Sequence, residues 1–234
     1  MKNLLLILHL PPPVHGSSVM GKFVHDSKIV NETFNSIYIN LGTSEEFDNI
    51  GKFQLNKVFR YASIIFKVLW ELLFFRPDAC YFAITVKGVA FYKDALIVLL
   101  VKAFRVKLIY HFHNKGVAEN QNRFLINLIY NFIFKNSSVI LLSKNLYSDI
   151  KKYVSQSSIY ICPNGIPKIP KSFRRTKQDL RKVNILFFSN LNKLKGVYDL
   201  LDACKILKEK QIDFECTFAG GFGDIDKQEK KLKS

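Results

Sequence analysis

Between Leu4 and Cys162 short apolar runs of strand length alternate with longer segments of helical period, and this alternation constrains the fold more than any other feature of the chain. A strand that returns to the same sheet through a helix must pair parallel to its predecessor, so repeated strand–helix units predict a parallel sheet covered by helices. The expected strands are Leu4–Leu10, Ser36–Ile39, Ala79–Ile84, Val106–Phe112, Ser138–Leu142 and Ile159–Cys162. The expected helices are Ser18–Val30, Asn56–Phe75, Val89–Phe104, Asn122–Phe134 and Lys144–Val154, with Ser143 placed to cap the last. Right-handed crossovers make this an open, doubly wound α/β sheet.

The pattern breaks at Pro163–Lys182, a stretch of three prolines and a basic cluster with few apolar residues, which reads as a linker region. It then restarts: Asn184–Ser189 as a strand, Val197–Lys210 as a helix, Phe214–Ala219 as a strand, then Gly220, Gly221 and Gly223. The expected domains are therefore residues 1–168, a linker at 169–182, and 183–234 as the incomplete opening of a second Rossmann-like domain. A lone βαβ unit would leave a bare sheet edge, which small domains rarely tolerate.

Lys and Arg number 35 against 19 Asp and Glu, a formal charge of +16, so the surface attracts anions. Nucleic acid is not an expected partner, because no recognition helix, aromatic RNA-binding strand or zinc knuckle is present. The cysteines Cys80, Cys162, Cys204 and Cys216 form no C-x-x-C pair and read as reduced thiols, which points to a cytoplasmic chain. The apolar start is broken by His9 and lacks a small-residue cleavage site, so it reads as a first strand rather than a leader. Lys67, Glu71, Lys93 and Lys102 interrupt every candidate membrane span. The segment Asn56–Phe75 mixes Lys57, Arg60 and Lys67 with Phe, Ile, Leu and Trp70. That pattern suits a helix packed on the sheet, and equally a helix lying in a membrane interface.

Three constellations carry candidate chemistry. In the turn after the first strand, His15, Gly16, Ser17 and Ser18 can bring backbone N–H groups to an anion at a helix start, although the G-x-G-x-x-G and P-loop spacings are absent. At the end of the fourth strand, His111 and His113, two apart, point the same way toward the crevice where ligands of such sheets sit. They lack a third ligand, so no metal is expected. At the start of the second domain, Lys195 and Gly196 put a cation and free amides at a helix N-terminus, which favours a diphosphate.

Taken together these segments resemble glycosyltransferase family four, retaining enzymes of the GT-B fold. The resemblance is carried by Val139-Ile-Leu-Leu-Ser143, Ile161-Cys-Pro-Asn-Gly-Ile-Pro167, Asn184-Ile-Leu-Phe-Phe-Ser-Asn-Leu191, Lys195-Gly-Val-Tyr-Asp-Leu-Leu-Asp-Ala203 and Thr217-Phe-Ala-Gly-Gly-Phe-Gly-Asp224. It implies a complete Rossmann-like domain on the acceptor side and the first βαβ unit of a donor domain. It implies His113 beside the reacting sugar, with His111 as the fallback, and an acceptor-side loop at His15, Gly16 and Ser17. Donor diphosphate contacts fall on Asn190, Lys195, Gly196 and Gly221, with Ser189-Asn190 standing where the family has Gly-Arg. The family's E-x7-E element belongs downstream of residue 224 and is missing.

The implied activity is transfer of a hexosyl group, with retention, from a nucleotide sugar to a glycan or lipid-linked acceptor in cell-surface polysaccharide or lipopolysaccharide synthesis, without metal or other cofactor. The expected site of action is the cytoplasm, peripheral to the inner face of the plasma membrane, with an anionic membrane surface as a further partner. The competing reading is a catalytically incompetent fragment, truncated or split, that binds a partner or a membrane.

Overall fold

The computed structural model describes residues 1–12, 14–42, 55–168 and 183–221. The chain divides into two compact units, Met1–Ile166 and Pro167–Ser234. The first thus closes just short of the expected boundary at 168, and the expected linker 169–182 lies outside the described residues.

In the first unit, β1 (Lys2–Leu8), β2 (Phe34–Asn40), β3 (Ala79–Phe82), β4 (Lys107–His111), β5 (Ser137–Leu141) and β6 (Ile159–Ile161) form one sheet in the order β2-β1-β3-β4-β5-β6. All pairs are parallel. The chain steps from β1 to β2 on one side and returns to β3 on the other. The connections leaving the carboxyl ends of β1 and β3 therefore diverge, and a crevice opens between them.

The helices are α1 (Gly16–His25), α2 (Lys28–Thr33), α3 (Leu55–Phe74), α4 (Gly88–Ala103), α5 (Val117–Asn120), α6 (Phe124–Phe134) and α7 (Tyr147–Ile150). Alternate residues of β1 serve opposite layers, as period-two geometry requires. Leu5 and Ile7 join the larger core, with Ile64, Val68 and Leu72 of α3 and Ile97 and Val101 of α4. Leu4, Leu6 and Leu8 face the other way, toward Val24 and Val30. Each such side chain contributes about 1.5 to 3 kcal/mol by leaving water. Two buried phenols are satisfied inside the core, Tyr110 donating to the Ile133 carbonyl at 2.7 Å and Tyr130 to the Val86 carbonyl at 2.6 Å.

Three expected helices are cut differently by local hydrogen bonding. Ser18–Val30 is two helices, because the Ser27 hydroxyl accepts the Val30 N–H and starts α2 anew. The expected helix from Asn122 starts at Phe124 and is preceded by the short α5. Lys144–Val154 is a 3-10 turn, Lys144–Leu146, leading into the single turn of α7, with Ser143 capping through the Asn145 N–H at 3.1 Å.

The second unit has the expected βαβ form. Strand β7 (Val183–Phe188), a 3-10 turn at Lys193–Lys195, α8 (Val197–Glu209) and β8 (Phe214–Ala219) follow in order, with β7 and β8 parallel. Its small core joins Leu191 and Val197 to Phe187, Tyr198 and Phe218.

Candidate functional site

The crevice between β1 and β3 holds a cavity of about 370 Å³ lined by His9, His15, Gly16, Ser17, Ala83, Ile84, Thr85, His113 and Asn114. Its wall comes from the residues just past β1, the first turn of α1, and the segments leaving β3 and β4. His15, Gly16, Ser17 and His113, placed here by sequence, therefore meet at one cavity. His111 does not line it.

Each wall has a local cause. His15 is the N-cap of α1: its Nδ1 accepts the Ser18 N–H at 3.2 Å while the Ser18 hydroxyl accepts the His15 N–H at 2.9 Å. This reciprocal box is the usual Ser/Thr arrangement with imidazole in the capping role, and it buries Ser18. The segment after β3 is held by buried Asp94 of α4, whose carboxylate accepts the Thr85 N–H at 2.8 Å. The segment after β4 is held from α7, where the Asp149 carboxylate accepts the N–H groups of Gly116, Val117 and Ala118 at 2.9, 3.1 and 3.0 Å. Gly116 makes this turn at φ 138°, a conformation open to glycine.

Four of the chain's five histidines gather at this crevice. The His111 and His113 rings lie 4.3 Å apart and those of His9 and His15 5.8 Å apart. Burial lowers the imidazole pKa of His9 to about 4, with further lowering from His15, His113 and Lys93. Burial and then His113 bring His111 to about 4 as well, and burial lowers His113 and His15. At neutral pH the cavity therefore presents neutral rings, each able to donate at one nitrogen and accept at the other. His111 shares its Nδ1 with the Tyr81 hydroxyl, its diagonal neighbour across the β3–β4 pair. Buried His111 Nε2 and His113 Nδ1 have no hydrogen-bond partner. Such buried, unpaired atoms cost about 1 to 3 kcal/mol each, a cost the fold carries beside the cavity that His113 lines. Among the described residues no three His, Cys, Asp or Glu side chains are grouped to hold a metal ion.

In the second unit, Asn190 and Gly221 adjoin past the ends of β7 and β8, where the Leu191 N–H donates to the Gly221 carbonyl at 2.8 Å. Lys195 is exposed and ends the 3-10 turn, and Gly196, at φ 81°, caps α8. The steric demand of the glycine loop falls on Gly220, where a Cβ would stand 1.9 Å from the Ser189 carbonyl oxygen. Asp199 shares the α8 N-terminus, its carboxylate 3.3 Å from where a Gly196 Cβ would lie. It offsets part of the positive end that Lys195 and Gly196 offer an anion.

His9, Thr85, Asp94 and Asp149 are the site residues that sequence reasoning missed. His9 had a visible signal, a polar ring inside an apolar run next to a Pro-rich turn. The two carboxylates act through backbone N–H groups on other elements and leave no local pattern.

Neither protein-family models nor curated proteins match the sequence. Solved structures do match in fold. HepE from Anabaena, in complex with UDP and glucose, superposes with a TM-score of 0.57 at 13% identity, over 100% of this chain and 64% of its own. MnaA from S. aureus, in complex with UDP, superposes with a TM-score of 0.56 at 13% identity, over 100% of this chain and 65% of its own. The chain thus spans a little under two thirds of the length of either protein. Its fold is α/β of the GT-B type, a six-stranded parallel Rossmann-like domain followed by a βαβ unit.

Proposed function

We propose that the chain is the acceptor-side domain and the opening of the donor domain of a glycosyltransferase, one that moves a hexosyl group from a nucleotide sugar to a glycan or lipid-linked acceptor. The observation that carries this reading is the cavity of neutral imidazoles at the β1/β3 crevice. A hexose offers hydroxyls that both donate and accept. Neutral imidazoles, which donate at one nitrogen and accept at the other, suit such a ligand better than a free phosphate, which prefers fixed cations.

In this reading His113 faces the reacting sugar, and His15, Gly16 and Ser17 bound the acceptor. The donor diphosphate lies on Asn190, Lys195, Gly196 and Gly221, with Lys195 offsetting Asp199. The bound UDP of both similar structures supports a nucleotide diphosphate as the ligand class. Charge building on the leaving diphosphate is met by Lys195 and helix-end amides, with no metal assigned. Retention at the anomeric carbon, membership of family four, and a place in cell-surface polysaccharide or lipopolysaccharide synthesis at the inner face of the plasma membrane belong to the same proposal.

Transfer from a panel of nucleotide hexoses to lipid-linked acceptors, by this chain and by one carrying a full second domain, tests it. The longer chain is expected to turn over, and His113→Ala to lower its kcat by about 100-fold or more with donor binding retained. Donor binding as tight by the 234-residue chain as by the longer one would show that residues of this chain alone supply the donor contacts. Absence of transfer from both, with folding intact, favours the second reading, a binding fragment completed by another chain. The observation favouring that reading is the exposure of Leu186 and Phe188 on β7, apolar surface that further secondary structure or a partner would cover.

A further inference from the structure

His15 is held by a contact that leaves its ring no choice of tautomer. Its Nδ1 accepts the Ser18 N–H at 3.2 Å. A backbone amide can only donate in such a bond, so Nδ1 carries the lone pair and the proton of the neutral ring sits on Nε2. Burial lowers the His15 pKa, so the ring is neutral at pH 7. His111 differs in this respect: its Nδ1 meets the Tyr81 hydroxyl, a group that can donate or accept.

The capping box also fixes where the ring stands. The Ser18 hydroxyl accepts the His15 N–H and donates to the His15 carbonyl, both at 2.9 Å, so backbone and side chain of residue 15 are tied to the same helical turn. His15 borders the cavity. With Nδ1 turned to the helix, the ring edge left for the cavity is the one bearing Nε2–H. A second proton at Nδ1 would set two N–H groups against each other and break the cap. His15 therefore offers a ligand one donor at a fixed place, and it accepts a proton only by giving up the start of α1.

We infer that His15 is a donor-only, specificity-determining residue of the acceptor site, whose Nε2–H holds one sugar hydroxyl through an oxygen lone pair and takes no part in proton transfer. The inference rests on the reading of this cavity as the acceptor site of hexosyl transfer. It leaves acid–base work at the cavity to other groups. It also makes His15 discriminate against a sugar that lacks an oxygen at this position, because the Nε2–H is then left without a partner.

Two substitutions separate the cap from the donor. Asn carries its amide oxygen close to the place of the imidazole Nδ1 and is among the best N-cap residues, so His15→Asn keeps the cap and removes the donor from the cavity. Gln is one methylene longer, so His15→Gln carries its amide N–H groups toward the place of Nε2 and loses the cap.

Long-range proton–nitrogen NMR spectra of the 234-residue chain at pH 7 are expected to show His15 with a bare Nδ1 and a protonated Nε2. Glucose, a free hexose, serves as the probe of binding and is expected to shift the His15 ring signals. His15→Asn is expected to bind glucose about tenfold more weakly at an unchanged melting temperature. His15→Gln is expected to melt lower and yet bind more tightly than His15→Asn. A protonated Nδ1, or glucose binding by His15→Asn equal to that of the parent, overturns the inference. So does binding that follows the melting temperatures of the two variants, which would leave His15 a helix cap only, and so does a parent chain whose imidazole signals glucose does not move. These readings come from spectra and binding rather than turnover, so a failure at His15 is distinguished from a failure of hexosyl transfer.

Discussion

Gly21 of α1 lies so close to His9 that a Cβ on Gly21 would stand 2.1 Å from the His9 carbonyl oxygen. Helix α1 is thereby pressed onto the loop leaving β1, and that approach sets the distance between the two imidazoles on either side of the cavity mouth, His9 and His15. Alanine is the better helix former by about 1 kcal/mol, yet a backbone carbonyl is a neighbour with little room to give. Gly21→Ala is expected to cost about 1 to 3 kcal/mol in urea unfolding and to shift the imidazole NMR signals of His9 and His15. Gly16→Ala serves as the contrast. Nothing lies within 4 Å of the added methyl, and stability is expected to hold within about 0.5 kcal/mol.

Asp149 acts on His113 through the backbone. Its two oxygens take three consecutive N–H groups, Gly116 to Ala118, and so fix the turn that follows His113 and Asn114. Asp149→Asn leaves one good acceptor for three donors. The expected loss is about 1 to 3 kcal/mol of stability, with a larger loss for Asp149→Ala. A purely local helix cap would leave the His113 ring signals in place. Displaced His113 imidazole resonances in Asp149→Asn at pH 7, where the variant is still folded, check the positioning role.

How far the fold was readable follows from the range of the forces involved. The central strands of the first unit were legible because burial on two faces forces continuous apolar runs, and the helix α3 was legible within one residue at each end. β1 was read on to Leu10 because an apolar residue returns there after the single break at His9. It stops at Leu8 because the Leu10 N–H turns to the Asn40 side chain at 3.1 Å instead of the neighbouring strand. His15, Gly16, Ser17 and His113 were legible because the carboxyl ends of parallel strands are where such sheets bind. Their supports, Asp94 and Asp149, were not, since nothing in the sequence around an acidic residue tells which distant N–H groups it will meet.

The imidazole cluster gives stability a defined pH dependence. An unfolded histidine titrates near 6.5, while His9 and His111 titrate at about 4 in the folded chain, so the unfolded state binds more protons between these values. Their contribution is whole above pH 6.5, declines as pH falls, and levels off below about pH 4. His111, only 6% exposed, accounts for about 3 kcal/mol of that decline. Urea midpoints between pH 4 and pH 8 measure the net slope. NMR titration is expected to find the His9 and His111 rings still neutral at pH 6, and charged rings there would refute the burial argument.

Asp94 pulls the other way over part of the same range. Burial raises its carboxyl to about 7, against the lowering effect of its Thr85 hydrogen bonds and of Lys93, while the unfolded carboxyl titrates at 3.8. The folded state holds the extra proton between these values, so this group's contribution is greatest below pH 3.8 and is lost as pH rises through 7. Above that pH the chain carries a buried carboxylate whose partners only partly offset its desolvation. Asp94→Asn keeps the shape and an acceptor for the Thr85 N–H and never ionises. It is expected to raise the melting temperature at pH 8 by roughly 5 °C and to have little effect at pH 5. Removing the opposing titration also exposes the histidine contribution, so the variant should lose stability more steeply than the parent between pH 6.5 and pH 4.5. Equal melting temperatures at pH 8, or parallel pH profiles, would show that Asp94 does not titrate in this range.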